Sequence, residues 1–172
     1  MEKVIGGEFS LPLFDENHVI NDRCYPFTTG RTALAWIIWD IKRKKAGITS
    51  VAVPDYICSS VTSTIYENGM HVVFYHILEK TLLPEQSSLF NCIDKHTALL
   101  LVSYFGMTDI EDTISEVNTK HYNIPIIIDN VQNFYGINDL FSADYSFTSF
   151  RKWFPSPDGA IVKVRSGGEM NT

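Results

Sequence analysis

Apolar residues along the chain fall into two kinds of run, and the two kinds alternate. Compact blocks, SVAVP (50–54), MHVVFY (70–75), HTALLLVSYFG (96–106), IPIIIDN (124–130), DYSFTSF (144–150) and AIVKV (160–164), have the length and β-branched content of strands. Between them lie segments of helical period. GRTALAWIIWDIKRKKAG (30–47) puts Leu34, Ile37, Ile38 and Ile41 on one face, crowds basic residues at its C-terminal end and is followed by Gly47. SSVTSTIYENG (59–69) is a weaker helix stopped at Gly69. TDIEDTISEVNTKH (108–121) opens on a Thr108–Glu111 capping box and carries Ile110, Ile114 and Val117 on one face. Residues 77–96 follow neither period and give no assignment.

Strands that are apolar throughout are buried on both faces, and helices between them supply the cover. The pattern therefore predicts an α/β protein: a three-layer α/β/α domain with a mostly parallel sheet. There is no internal repeat, and 172 residues suffice for one domain with a real core. Ligands of such sheets sit beyond the carboxyl ends of the strands. That rule selects the turn after Pro54, Asp129 after IPIII, Lys152 after DYSFTSF, and the helix start at TTGRTAL.

Composition narrows the classes. Hydrophobic residues make up 45% and charged residues 20%, an ordinary globular balance, and the formal net charge is −6. That charge disfavours a nucleic-acid binder. No apolar run approaches membrane-spanning length, and the N-terminus lacks the order of a secretion signal. Cys24, Cys58 and Cys92 form no CxxC pair, so a reducing cytoplasm is expected. His18, His71, His76, His96 and His121 have no metal-site spacing, so no metal is expected.

Each selected position has a plain alternative. Asp129 serves equally as a cap for a following helix or as a buried carboxylate awaiting a cationic ring nitrogen. Gly30 eases a turn, and Thr28 or Thr29 caps the helix, yet a glycine-opened helix start also offers free N–H groups to a phosphate. Neither a Walker loop nor a GxGxxG is present, which disfavours a doubly wound nucleotide binder. Lys152 alone reads as a snorkelling surface lysine. Together, a phosphate cradle, a carboxylate and an amine are what pyridoxal 5'-phosphate requires.

Five stretches, GGEFSLP, TTGRTALAW, VAVPDYICSSV, IIIDNVQNFYG and SFRKWFPSPDGAIV, occur in this order and resemble the DegT/DnrJ/EryC1/StrS family over nearly the whole chain. These are fold-type-I pyridoxal-phosphate enzymes, mostly aminotransferases acting on keto groups of nucleotide-linked sugars. The aromatic neighbours of Lys152 lead to the expectation that it is buried. The resemblance implies that Lys152 is the Schiff-base lysine and that Asp129 pairs with the pyridine nitrogen. It puts Gln132 near the cofactor hydroxyl, and Gly30, Arg31 and Thr32 at the phosphate through backbone N–H groups. Many members carry a serine five residues before the lysine. Here that position is Phe147, and Ser149 is the preferred hydroxyl. Many also lay an aromatic residue over the ring where this chain has Cys58, with Tyr56 two residues earlier.

The resemblance further implies glutamate or a similar amino donor, a keto-sugar nucleotide as substrate and a homodimer. Family members are longer. The chain is thus expected to be a truncated large-domain portion, residues 1–172, with the C-terminal small domain absent. The alternative is a non-catalytic remnant serving as a folding or interaction unit. A dehydratase of the same family is disfavoured because those enzymes lack the lysine.

Overall fold

The computed structural model of the chain describes residues 23–120, 123–138 and 142–165. The GGEFSLP stretch, His18 and His121 lie outside the described residues.

Seven strands form one sheet in the order β1-β7-β6-β5-β4-β2-β3. They are β1 (Cys24–Phe27), β2 (Ser50–Pro54), β3 (His71–Tyr75), β4 (Thr97–Val102), β5 (Ile126–Asp129), β6 (Tyr145–Ser149) and β7 (Ala160–Val164). Neighbours from β6 through β5, β4 and β2 to β3 are parallel, while β7 runs antiparallel to both β6 and β1. The helices are α1 (Gly30–Lys44), α2 (Ser59–Glu67), α3 (Gln86–Cys92) and α4 (Glu111–Thr119).

The sheet separates two cores. On one face, Leu34, Ile37, Ile38 and Ile41 of α1 and Ile65 of α2 pack on Val51, Val53, Leu100, Ile127 and Phe147. On the other, Leu89 of α3 with Ile114 and Val117 of α4 packs on Ala52, Leu99, Leu101, Ile126 and Ile128. Alternate side chains of one strand point to opposite faces, which is why β4 is buried at every position. This is the expected three-layer arrangement. No helix among the described residues is long and apolar enough to cross a membrane, and no disulfide forms among them.

Four local features depart from or add to the sequence reading. The Thr108–Glu111 capping box does not form: Ile110 occupies the cap position, and the Thr108 hydroxyl instead accepts from the Tyr104 N–H at 3.1 Å. A capping box does form at α1, where the Thr32 N–H donates to Thr29 Oγ1 at 3.1 Å and the Thr29 N–H donates to Thr32 Oγ1 at 3.0 Å. The unassigned stretch holds α3, whose N–H groups at Ser87 and Ser88 are accepted by the Glu85 carboxylate. β1 gave no signal of its own. It is four residues long and contains Pro26, which an edge strand tolerates, and it exists through its pairing with β7.

Candidate active site

A cleft of about 400 Å³ opens at the carboxyl end of the sheet, bounded by the N-termini of α1 and α2 and the ends of β4, β5 and β6. All four places selected from the sequence contribute to it: Gly30 and Arg31, Tyr56 and Cys58, Asp129 and Gln132, and Lys152.

Asp129 ends β5 and is 6% exposed. No α-helix follows it. The chain passes through a turn into a short 3-10 segment, Phe134–Asn138. The Val131 N–H donates to Asp129 Oδ1 at 2.8 Å, and among the described residues no cation faces the carboxylate at ion-pair distance. Burial therefore pushes its pKa up to about 6. Its neighbour fixes its direction. Buried Asn130 donates through Nδ2 to Ser146 Oγ at 2.8 Å and to the Gly136 carbonyl at 3.1 Å, and its own carbonyl accepts from Thr148 Oγ1 at 2.9 Å. Ser146 and Thr148 are thus spent on the far face of β6. The period of two then turns Phe147 and Ser149 toward the cleft.

Ser149 is buried beside the start of α1. A Cβ built on Gly30 would lie 3.5 Å from Ser149 Cβ and 3.9 Å from both Ser149 Oγ and Val131 Cγ2. The Ser149 hydroxyl reaches the Gly159 carbonyl at 3.5 Å, a long and weak bond that leaves it available. The capping box leaves the Gly30 and Arg31 N–H groups without an intrahelical acceptor. Thr32 is not at the cleft: its N–H is taken by Thr29, and its hydroxyl donates to the Thr29 carbonyl at 2.8 Å. The expectation that Thr32 presents its N–H to a ligand is corrected accordingly; the open pair is Gly30 and Arg31.

Lys152 ends a 3-10 turn, Phe150–Lys152, directly after β6 and lines the cleft. Its expected burial is not found, for the side chain is exposed. The surrounding aromatics hold its backbone instead. Phe134 packs edge-on against Phe150 and Phe154, with centroids 5.8 and 4.9 Å away, and Trp153 Nε1 donates to the Val131 carbonyl at 2.9 Å. Gly159 closes this segment onto α1. Its N–H donates to the Thr28 carbonyl at 2.6 Å, its φ is +119°, and an added Cβ would stand 2.6 Å from Phe150 Cδ2.

Gln132 lines the cleft with Oε1 buried, and among the described residues that atom has no hydrogen-bond partner. Cys58 caps α2 without a side-chain cap bond. Its thiol accepts from Ser60 Oγ at 3.1 Å, which with the charge of Lys152 holds its pKa below the usual thiol value. Tyr104 was missed from the sequence. It follows β4, stacks on Tyr56 at 5.6 Å, and donates its hydroxyl to the Tyr56 carbonyl. Burial raises its pKa, with the Asp129 charge adding to the effect. Its signal was present, because SYFG stands at the carboxyl end of an apolar strand like the other selected places.

The arrangement fits pyridoxal phosphate. Open N–H groups and a hydroxyl converge at one end, a carboxylate without a cation lies inside, an orphaned amide oxygen flanks it and an amine stands at the rim. No protein-family model matches the sequence, and no curated protein matches it. Solved structures do. The putative sugar aminotransferase Spr1654 from Streptococcus pneumoniae, in its PLP form, superposes with a TM-score of 0.69 at 18% identity, covering 85% of this chain and 42% of that one. GDP-4-keto-6-deoxymannose-3-dehydratase (ColD) with bound GDP-perosamine gives 0.69 at 19%, covering 82% and 39%. The fold is that of PLP enzymes. Sphingosine-1-phosphate lyase from Burkholderia pseudomallei gives 0.68 at 11%, covering 84% and 38%, so the shared fold spans more than one reaction. The chain spans about two fifths of the length of these proteins.

Proposed function

We propose that the chain is the cofactor-binding portion of a PLP-dependent aminotransferase acting on the keto group of a nucleotide-linked sugar. The observation that carries the reading is the convergence of Lys152, Asp129 and the open start of α1 in one cleft. Bound pyridoxal phosphate would supply an electron sink for the carbon bearing the transferred amine. The chain's own residues have separate tasks. Lys152 Nζ offers the amine that holds the cofactor aldehyde and afterwards moves a proton at the substrate carbon. Asp129 keeps the ring nitrogen protonated. Gly30 and Arg31 N–H and Ser149 Oγ hold the phosphate, Gln132 Oε1 meets the hydroxyl side of the ring, and Cys58 packs against its face.

The presence of Lys152 favours amino transfer over dehydration. The nucleotide-sugar substrate, a glutamate-type donor, a homodimer and a reducing cytoplasm complete the proposal, drawn from the motif resemblance and the kind of structures matched. A second reading, a portion that folds without turning over substrate, is favoured by the matched span of about two fifths of those neighbours.

Titration with pyridoxal phosphate followed by borohydride reduction and peptide mapping tests the main reading. A shifted absorbance band and a label on Lys152, both absent in Lys152→Ala, are expected. A label on Lys42, Lys44 or Lys45 overturns the assignment, and no shift at all supports the second reading.

A further inference from the structure

Arg31 and Arg151 both line the cleft, and among the described residues neither pairs with a carboxylate. An unpaired guanidinium on an open surface is ordinary. One on the first turn of a 15-residue helix, beside that helix's open N–H groups, is placed where an anion would sit.

The donors at that point are few. Threonines 28, 29 and 32 look like a rich hydroxyl cluster, but they are committed to one another: Thr29 and Thr32 form the capping box, and Thr28 Oγ1 lies 3.3 Å from Thr32 Oγ1. What remains is the Gly30 N–H, the Arg31 N–H and the Ser149 hydroxyl. A phosphate ester carries a charge of about −1.5 to −2 and strong acceptor oxygens. These neutral donors leave much of that charge uncompensated. The helix dipole adds the equivalent of only about half a positive charge. A guanidinium gives two parallel N–H donors and a full charge to the same group.

We infer that the Arg31 side chain, and not its backbone alone, completes the phosphate cradle and makes the cleft selective for the phosphorylated form of its ligand. Arg151, on the 3-10 turn that carries Lys152, is the other guanidinium lining the cleft and serves as the control. The inference rests on the cofactor reading above and deepens it.

The test compares pyridoxal 5'-phosphate with pyridoxal, which lacks the phosphate, in the full chain. Arg31→Ala should raise the Kd for pyridoxal phosphate tenfold or more, Arg31→Lys by less, and neither should change the Kd for pyridoxal. Arg31 is exposed, so melting temperatures without ligand should match the parent. Equal affinity of Arg31→Ala and parent for pyridoxal phosphate overturns the inference while leaving the cofactor reading intact. So does a loss confined to Arg151→Ala. If the parent binds neither aldehyde, the cofactor reading fails, and inorganic phosphate then decides the cradle by phosphorus NMR line broadening. Broadening that Arg31→Ala removes upholds it, whereas no broadening, or broadening unchanged by the substitution, overturns it.

Discussion

At the scale of single residues, Asp129 opposes stability through the atoms proposed to serve function. Burial without a cation raises its carboxyl from 3.8 to about 6. A carboxyl whose folded pKa lies above its unfolded value retains protons in the folded chain. Its destabilising effect is absent below about pH 4, grows as the pH rises and is complete above about pH 6. The gap is worth roughly 3 kcal/mol. Asp129→Asn preserves the shape and the acceptor for the Val131 N–H. In urea titrations it should stabilise the ligand-free chain at pH 8 by about 1–3 kcal/mol and give no gain at pH 4. With pyridoxal phosphate the order should reverse, because the amide cannot hold a protonated ring nitrogen as an ion pair. A variant no more stable than the parent at pH 8 would show that the carboxylate is not penalised there.

At the scale of elements, α1 joins two jobs along its length. Its start opens the cleft, and its end is bolted to β6. Asp40 is fully buried, accepts from the Tyr145 hydroxyl at 2.7 Å, and pairs with Lys44 at 2.8 Å and Arg43 at 2.9 Å. Burial alone would raise its pKa. The hydrogen bonds from Lys44, Tyr145 and Arg43 outweigh that and hold it below the usual carboxylate value. The stabilisation is therefore present above the unfolded pKa and lost as the pH falls through the depressed folded value. Asp40→Ala leaves the Tyr145 hydroxyl buried without its acceptor and should cost about 3 kcal/mol at pH 7. The loss relative to the parent should shrink on acidification, as read by urea midpoints at pH 7 and pH 3. A deficit that stays constant across that range would locate the effect in packing and not in charge. The same network was invisible in the sequence, where Asp40 is one acidic residue among basic ones on a helix.

For the whole molecule, the sheet formed by the described residues has two edges, and large apolar side chains lie outside the cores. β3 is an edge strand with Phe74 53% exposed, and Tyr56, Tyr135 and Met107 are 60, 80 and 85% exposed. Open edges and apolar side chains of this kind favour association. Light scattering of the 172-residue chain should report a dimer or larger species. Lys152 is exposed, so water reaches its amine, and nothing among the described residues closes over a substrate. No measurable amino transfer from glutamate to a keto-sugar nucleotide is expected from this chain by itself. A monomer with steady turnover would mean that the described cleft already contains what the chemistry requires.

The sequence by itself determined the α/β class, the strands from β2 to β7, the helices α1, α2 and α4, and the four places that meet at the cleft. Each rests on a local cause: periodicity fixes which face an element buries, and the carboxyl end of a buried strand fixes where polar residues can gather. Tertiary structure decided the rest. β1 and α3 are too short to carry a period and exist through partners distant in the chain. Thr108 and Glu111 fit a capping box by spacing, but the Tyr104 N–H claimed the threonine, while the Thr29–Thr32 pair formed the box that removed Thr32 from the cleft. Lys152 has aromatic neighbours in sequence, yet Phe150 and Phe154 pack on Phe134 and Trp153 on Tyr135, and the amine is left exposed. Ser149, not Ser146, reaches the cleft because Asn130 holds Ser146 on the opposite face of β6. In each case several local arrangements were compatible with the same residues, and the partner met in the folded chain, whether a hydrogen-bonding group, a ring or a neighbouring strand, selected among them.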